Sequence, residues 1–147
     1  MSIKTWLPLI FLVLLAGCAQ VTPPMAPSAP EPAPKSDLSN AMTALAATLP
    51  AGDIAVVRVA NFSAQRADVD ALTQQLLTLL ARQGRQVADL SAKADAYDLL
   101  GARQAGRTGQ HVFLLYGQIR QDGQHLRLRV MNLSNGIIVW SRELPWP

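Results

Sequence analysis

The sequence predicts an α/β domain in which a single mixed sheet of about five strands carries helices on at least one face. Three observations lead there. Apolar runs of strand length alternate with leucine stripes at helical spacing, and Asp-Gly and Asn-Gly pairs punctuate the last third. Six of the ten prolines crowd into residues 18–36, which confines the folded part to residues 37–147. That length suits one domain.

The elements follow in order. Asp37 or Ser39 is placed to cap a first helix, with Leu38, Met42, Leu45 and Leu49 on one side and Pro50 ending it. Ile54-Ala55-Val56-Val57-Arg58-Val59-Ala60 reads as one strand covered on both faces. Val69, Leu72, Leu76, Leu79 and Leu80 then recur at helical spacing, behind Asp68 and Asp70 at the positive helix start, and Gly84 closes that helix. Gln86-Val87-Ala88-Asp89-Leu90 is a short second strand. Ser91 is placed to cap an alanine-rich helix that carries Tyr97, Leu99 and Leu100 and decays through Gly101, Gly106 and Gly109.

The most apolar strand runs over residues 112–119, and Asp122-Gly123 turns it into a partner where Leu126, Leu128 and Val130 alternate with Arg127 and Arg129. Asn135-Gly136 supplies a second tight turn, and Ile137-Ile138-Val139-Trp140 returns. Trp140 is expected to anchor this strand against the helices with Ile138 on the same face, whereas Trp146, between Pro145 and Pro147, is expected to be exposed.

Residues 1–17 read as a signal peptide. Lys4 precedes an apolar stretch from Trp6 to Leu15, about half the ~20 residues a membrane-spanning helix needs. Leu15-Ala16-Gly17-Cys18 resembles the bacterial lipobox, which implies cleavage before Cys18 and acylation of its sulfur. Two or three acyl chains, at ~0.8 kcal/mol per buried CH₂, anchor a protein durably. Ala19, in place of Asp, resembles the pattern of lipoproteins sorted to the outer membrane, here on its periplasmic face. Residues 18–36 are then a disordered Pro/Ala-rich tether reaching roughly 60 Å at ~3.1 Å per residue in polyproline II.

Several chemistries are excluded. One cysteine rules out an intrachain disulfide and a Cys-rich zinc module. A net charge of +3 without a clustered basic face argues against nucleic acid. Gly101-Ala102-Arg103-Gln104-Ala105-Gly106-Arg107-Thr108 approaches the phosphate-loop pattern, but Arg107 replaces its lysine and the flanking elements come in reverse order. It reads as a flexible connection, and no nucleotide is expected. His111 and His125 belong to no metal-ligand cluster, and no serine sits in a nucleophile elbow. Neither catalysis, a metal nor any cofactor beyond the covalent lipid is expected.

The arginines carry the remaining signal. Residues 37–147 hold ten arginines and one lysine against nine acids. Arg127 and Arg129 share a face, Arg142 lies in the same meander, and Trp146 is large and terminal; these four are the candidate partner contacts. Arginine's planar fork suits carboxylate-bearing partners.

A lipobox, a proline-rich tether and a small α/β domain ending in Met131-Asn132-Leu133-Ser134-Asn135-Gly136-Ile137-Ile138-Val139-Trp140-Ser141 resemble the LpoB-type activators of penicillin-binding proteins. Related curli-secretion (CsgG-like) and flagellar-assembly (FlgO-like) lipoproteins share that ending. The resemblance implies a TolB N-terminal-like fold. It also implies a periplasmic protein partner, most concretely a bifunctional penicillin-binding protein in peptidoglycan synthesis. An accessory role in a flagellar or curli-type secretion system is the alternative.

Overall fold

The computed structural model describes residues 34–146. The expected signal peptide, its motif Leu15, Ala16 and Gly17, the expected lipidation site Cys18 and most of the expected tether lie outside the described residues. Within them, the fold is one mixed sheet of six strands with helices on both faces.

Helix α1 (Pro34–Thr48) opens three residues before the expected domain start, on a proline whose missing N–H would have no helical partner there. Asp37 and Ser39 therefore lie inside the helix, with Asp37 in its first turn, and neither caps it. Leu38, Ala41, Met42, Leu45 and Leu49 form the buried stripe.

The expected first strand breaks into β1 (Ile54–Val56) and β2 (Ala60–Asn61), which accounts for six strands instead of five. Val56 pairs with Leu115 and Ala60 with Gln118, so this strand carries one extra residue between the two pairings. Arg58 is the cause. Its backbone leaves the sheet's central line, donating to Ala94 O (3.1 Å) and accepting from Ala96 N (2.9 Å), while its Nε reaches Asp70 Oδ1 at 2.6 Å.

Helix α2 (Val69–Arg82) starts where expected, with Asp68 accepting from Ala71 N at 2.9 Å, and Gly84 follows it at φ +81°. Thr73, fully buried, donates to Val69 O (2.6 Å) and accepts from Val59 N (3.0 Å) at the irregularity between β1 and β2. Strand β3 (Val87–Asp89) is shorter than predicted.

The third helix differs from its prediction. Residues 91–97 are turns, and α3 (Leu99–Thr108) begins at Asp98, whose Oδ1 accepts from Gly101 N at 2.9 Å. Ser91 therefore caps nothing, and the supposed flexible connection 101–108 is helix. Gly106 is not a breaker but a contact: a Cβ there would lie 2.7 Å from Leu133 Cδ1. Ala102 and Gly106 let the helix backbone press against the sheet, and this close approach outweighs the ~1 kcal/mol propensity cost of glycine.

The C-terminal strands are β4 (Phe113–Ile119), β5 (His125–Asn132) and β6 (Ile138–Pro145), a meander with Gly123 at φ +67° and Gly136 at φ +74° in its turns. Strand order is β3-β1-β4-β5-β6, with β2 also on β4; β1 pairs in parallel with β3 and β4, and β5 and β6 add antiparallel. One core lies between the sheet and α1 and α2, built on Met42, Leu45, Leu76, Leu80, Leu115 and Leu128. The other lies beneath α3, with Ala55, Val57, Leu114, Tyr116 and Leu133.

Candidate partner interface

Residues opposite each other in an antiparallel pair project to the same face. Leu126, Leu128 and Val130 of β5 point into the core under α1 and α2, and opposite them stand Leu144, Arg142 and Trp140 of β6. The other face of β5 carries Arg127 and Arg129, opposite Glu143 and Ser141 on β6 and Gln118 and Tyr116 on β4.

The four candidate contacts therefore divide between faces. Arg127 and Arg129, both half-buried, stand side by side on the α3 face of the sheet, toward the β6 edge where Ser141 and Glu143 are exposed. Arg142 is on the opposite face, its guanidinium carbon 5.7 Å from the centre of the Trp140 ring, a cation–π arrangement. Trp146 is not an exposed terminal ring: it packs partly buried against the α1/α2 core, and the Trp146 backbone N–H donates to Gln124 O at 2.7 Å. Trp140 packs on the same core, but Ile138 remains exposed, because a bulge between the pairings of Val130 and Met131 shifts the register there.

The Arg127/Arg129 face has fixed charges around it. Arg120 donates to Glu143 Oε1 at 2.7 Å; this hydrogen bond holds the Glu143 carboxyl below the usual carboxylate range, and Arg127 adds to the effect. Asp122 is held low by the backbone N–H of Gln124 and then by His125. The Nε of Arg129 is buried and has no hydrogen-bond partner among the described residues, as is the Nε of Arg103 on α3. Gln118 is tied down by its Nε2, which donates to Ala96 O at 3.0 Å.

An aromatic pair missed by sequence reasoning adjoins this face. Phe62 and Tyr97 meet edge to face, with ring centres 5.0 Å apart, and are 43% and 52% exposed. They are nonetheless fixed in place. The Tyr97 hydroxyl donates to Asn61 O (2.6 Å) and accepts from Asn61 N (2.8 Å), and Phe62 N donates to Ile119 O (2.9 Å). Beside them Arg58, Gln65, Arg66, Val69 and Tyr97 border a surface hollow of about 490 Å³. The signal for Tyr97 was the spacing of Asp95 and Asp98, both turn or cap acceptors, which marks a tight connection rather than a helix interior.

A second missed pair is structural. His111 Nδ1 lies 2.5 Å from Asp53 Oδ2, and Val112 N donates to Asp53 Oδ1 at 3.0 Å, joining the starts of β1 and β4. Partial burial opposes ionisation of Asp53, but these two hydrogen bonds outweigh it and leave the carboxyl below its ordinary range. Among the described residues no three His, Cys, Asp or Glu side chains are grouped to hold a metal ion, and no helix is long and apolar enough to cross a membrane. What the arrangement offers is recognition: neighbouring planar guanidinium forks and fixed aromatic rings.

No family model matches the chain, and comparison with curated proteins finds no match. Solved structures do match. The LpoB C-terminal domain from Escherichia coli aligns at a TM-score of 0.57 and 21% identity, over 76% of this chain and 98% of that one. Its counterpart from Salmonella enterica gives 0.56 and 21%, over 74% and 97%. A lipoprotein from Neisseria meningitidis gives 0.54 and 17%, over 65% and 79%. At these identities the likeness is one of architecture, and the domain has the fold of the LpoB C-terminal domain.

Proposed function

We propose that this chain is a lipoprotein of the outer membrane, cleaved after Gly17, acylated on Cys18 and displayed toward the periplasm on its proline-rich tether. Its α/β domain binds and regulates an envelope protein, most concretely a penicillin-binding protein whose peptidoglycan synthesis it activates. One observation carries the reading: an LpoB-type domain fold follows a lipobox in the same chain. Activation without catalysis requires only that the domain bind the active population of the synthase better than the inactive one. Arg127 and Arg129, with Phe62 and Tyr97 at the margin, are the contacts assigned to an acidic patch on a non-catalytic part of that enzyme.

The test is glycan polymerisation by purified synthases from the same cell, with and without the chain from residue 18 onward. Stimulation of one synthase is expected. Failure to stimulate any of them would overturn the activator reading. Loss of motility or surface fibres on deletion, with normal wall synthesis, would assign the protein to an assembly system instead.

A further inference from the structure

Among the described residues, β6 is the longer edge strand of the sheet, with eight residues and no partner on its outer side, whereas β3 at the other edge has three. Trp146 N donates to Gln124 O, which fixes the hydrogen-bonding phase of the strand. Leu144 and Arg142 turn their backbone groups toward β5, and Ser141 and Glu143 turn theirs outward. Pro145 falls in the outward phase, where its missing N–H costs no ladder bond. Around the strand's start Ile137, Ile138 and Val139 are 58%, 38% and 40% exposed, three consecutive β-branched residues.

We propose that this edge pairs antiparallel with β6 of a second copy, about a two-fold axis at Ser141. The chemistry of the strand selects both the partner and the register. Two copies related by an axis normal to the sheet keep their faces aligned, so residues of like parity meet. With Ser141 opposite Ser141 of the second copy, Arg142 stands opposite the second copy's Trp140, repeating between copies the cation–π contact that Arg142 makes with its own Trp140. Glu143 stands opposite the second copy's Val139. A slip of one pair in one direction sets Arg142 against Arg142 of the second copy, like charges directly opposed. A slip in the other direction gives up the Arg–Trp pairing and sets Arg142 against Ile138.

The same strand limits how far pairing goes. Val139 is the extra residue of the bulge, and Pro145 ends the run, so pairing reaches no further than Val139 on one side and Pro145 on the other. A two-fold contact consumes this edge on both copies, and the product is a closed dimer rather than a growing sheet. The short contact belongs to the weak, reversible class of interfaces.

The register is read by disulfide trapping in the chain from residue 18 onward carrying Cys18→Ser. Directly opposed residues of a hydrogen-bonded pair have Cα atoms ~5.5 Å apart, within disulfide range. Ser141→Cys should therefore give a covalent dimer under mild oxidation. Glu143→Cys, whose two copies would lie ~14 Å apart by strand rise, should not. Sedimentation of the unoxidised Cys18→Ser protein should show its mass rising with concentration toward twice the monomer. Ser141→Pro, which removes only an outward donor, should remain monomeric with an unchanged circular dichroism spectrum. A concentration-independent monomer overturns the proposal, as does equal trapping, or no trapping, by both cysteine variants. So does Ser141→Cys that in cells crosslinks to a different protein in preference to itself.

Discussion

Replacing Thr73 by valine tests the link between the sheet irregularity and α2. Thr73 and Val59 are both fully buried, and the threonine hydroxyl is the acceptor for the Val59 N–H at 3.0 Å. Valine keeps the shape and branching and removes the acceptor, leaving a backbone donor buried without a partner. Such an orphan costs ~1–3 kcal/mol. Part of this is offset because valine has no hydroxyl to desolvate, so a net loss of about 1–2 kcal/mol is expected. For a domain of this size that is a fall in Tm of roughly 4 °C per kcal/mol. Urea unfolding of the chain from residue 18 onward should show a lower midpoint with an unchanged slope, and hydrogen exchange at the Val59 amide should accelerate. Thr73→Ser keeps the acceptor and should retain that protection while losing about 1 kcal/mol for its methyl group. Thr78→Val, which removes an exposed hydroxyl bonded to Gln74 O, should stay within ~0.5 kcal/mol of wild type. A Thr73→Val protein with full stability and unchanged Val59 exchange would refute the reasoning.

Gly106→Ala should destabilise by about 1–2 kcal/mol despite its better helix propensity, because the new Cβ meets buried Leu133, and thermal melts will show the sign. Asp53 is depressed in the folded state, so its contribution is present above the unfolded value of 3.8 and is lost as pH falls through the folded value. Asp53→Asn should therefore lower the urea midpoint at neutral pH and flatten the acid limb below about pH 3.8. Arg127→Ala with Arg129→Ala should reduce synthase stimulation at least tenfold, about 1.4 kcal/mol of binding, with little change in Tm. Cys18→Ser should move the protein from the membrane fraction to the soluble one on fractionation.

Periodicity made the fold legible wherever one apolar stripe met one partner. Leu38, Met42, Leu45 and Leu49 at α1, Leu72, Leu76 and Leu80 of α2, the two glycine turns of the meander and the alternation of β5 followed from spacing, whereas buried Ala41, Thr73 and Leu77 did not, and Val69 and Leu79 are only half-buried. What escaped were consequences of long-range geometry. The break at Arg58 depends on Asp70 and on residues 94–96, which no local window contains. Gly101 and Gly106 carry the composition of a loop, yet both lie in a helix; at Gly106 the buried Leu133, far along the chain, leaves no room for a side chain. At the candidate site, the pairing of Arg127 with Arg129 was legible from period two. The placement of Arg142 on the other face was legible only with the register of β6. Phe62 and Tyr97, distant in sequence, could be joined only by the fold.

The sheet's mixed topology sets an order of assembly. The β4–β5 and β5–β6 hairpins close across short turns, an event of microseconds, but β1 sits between β3 and β4 and must await a partner made after two more helices. Ile54 pairs with Phe113, and nothing earlier in the chain completes that edge. A chain threaded outward from its N-terminus therefore cannot close its core until its last third has arrived. If the chain is exported as proposed, late closure of this kind would keep the polypeptide loose enough to be translocated and would defer folding until after the crossing.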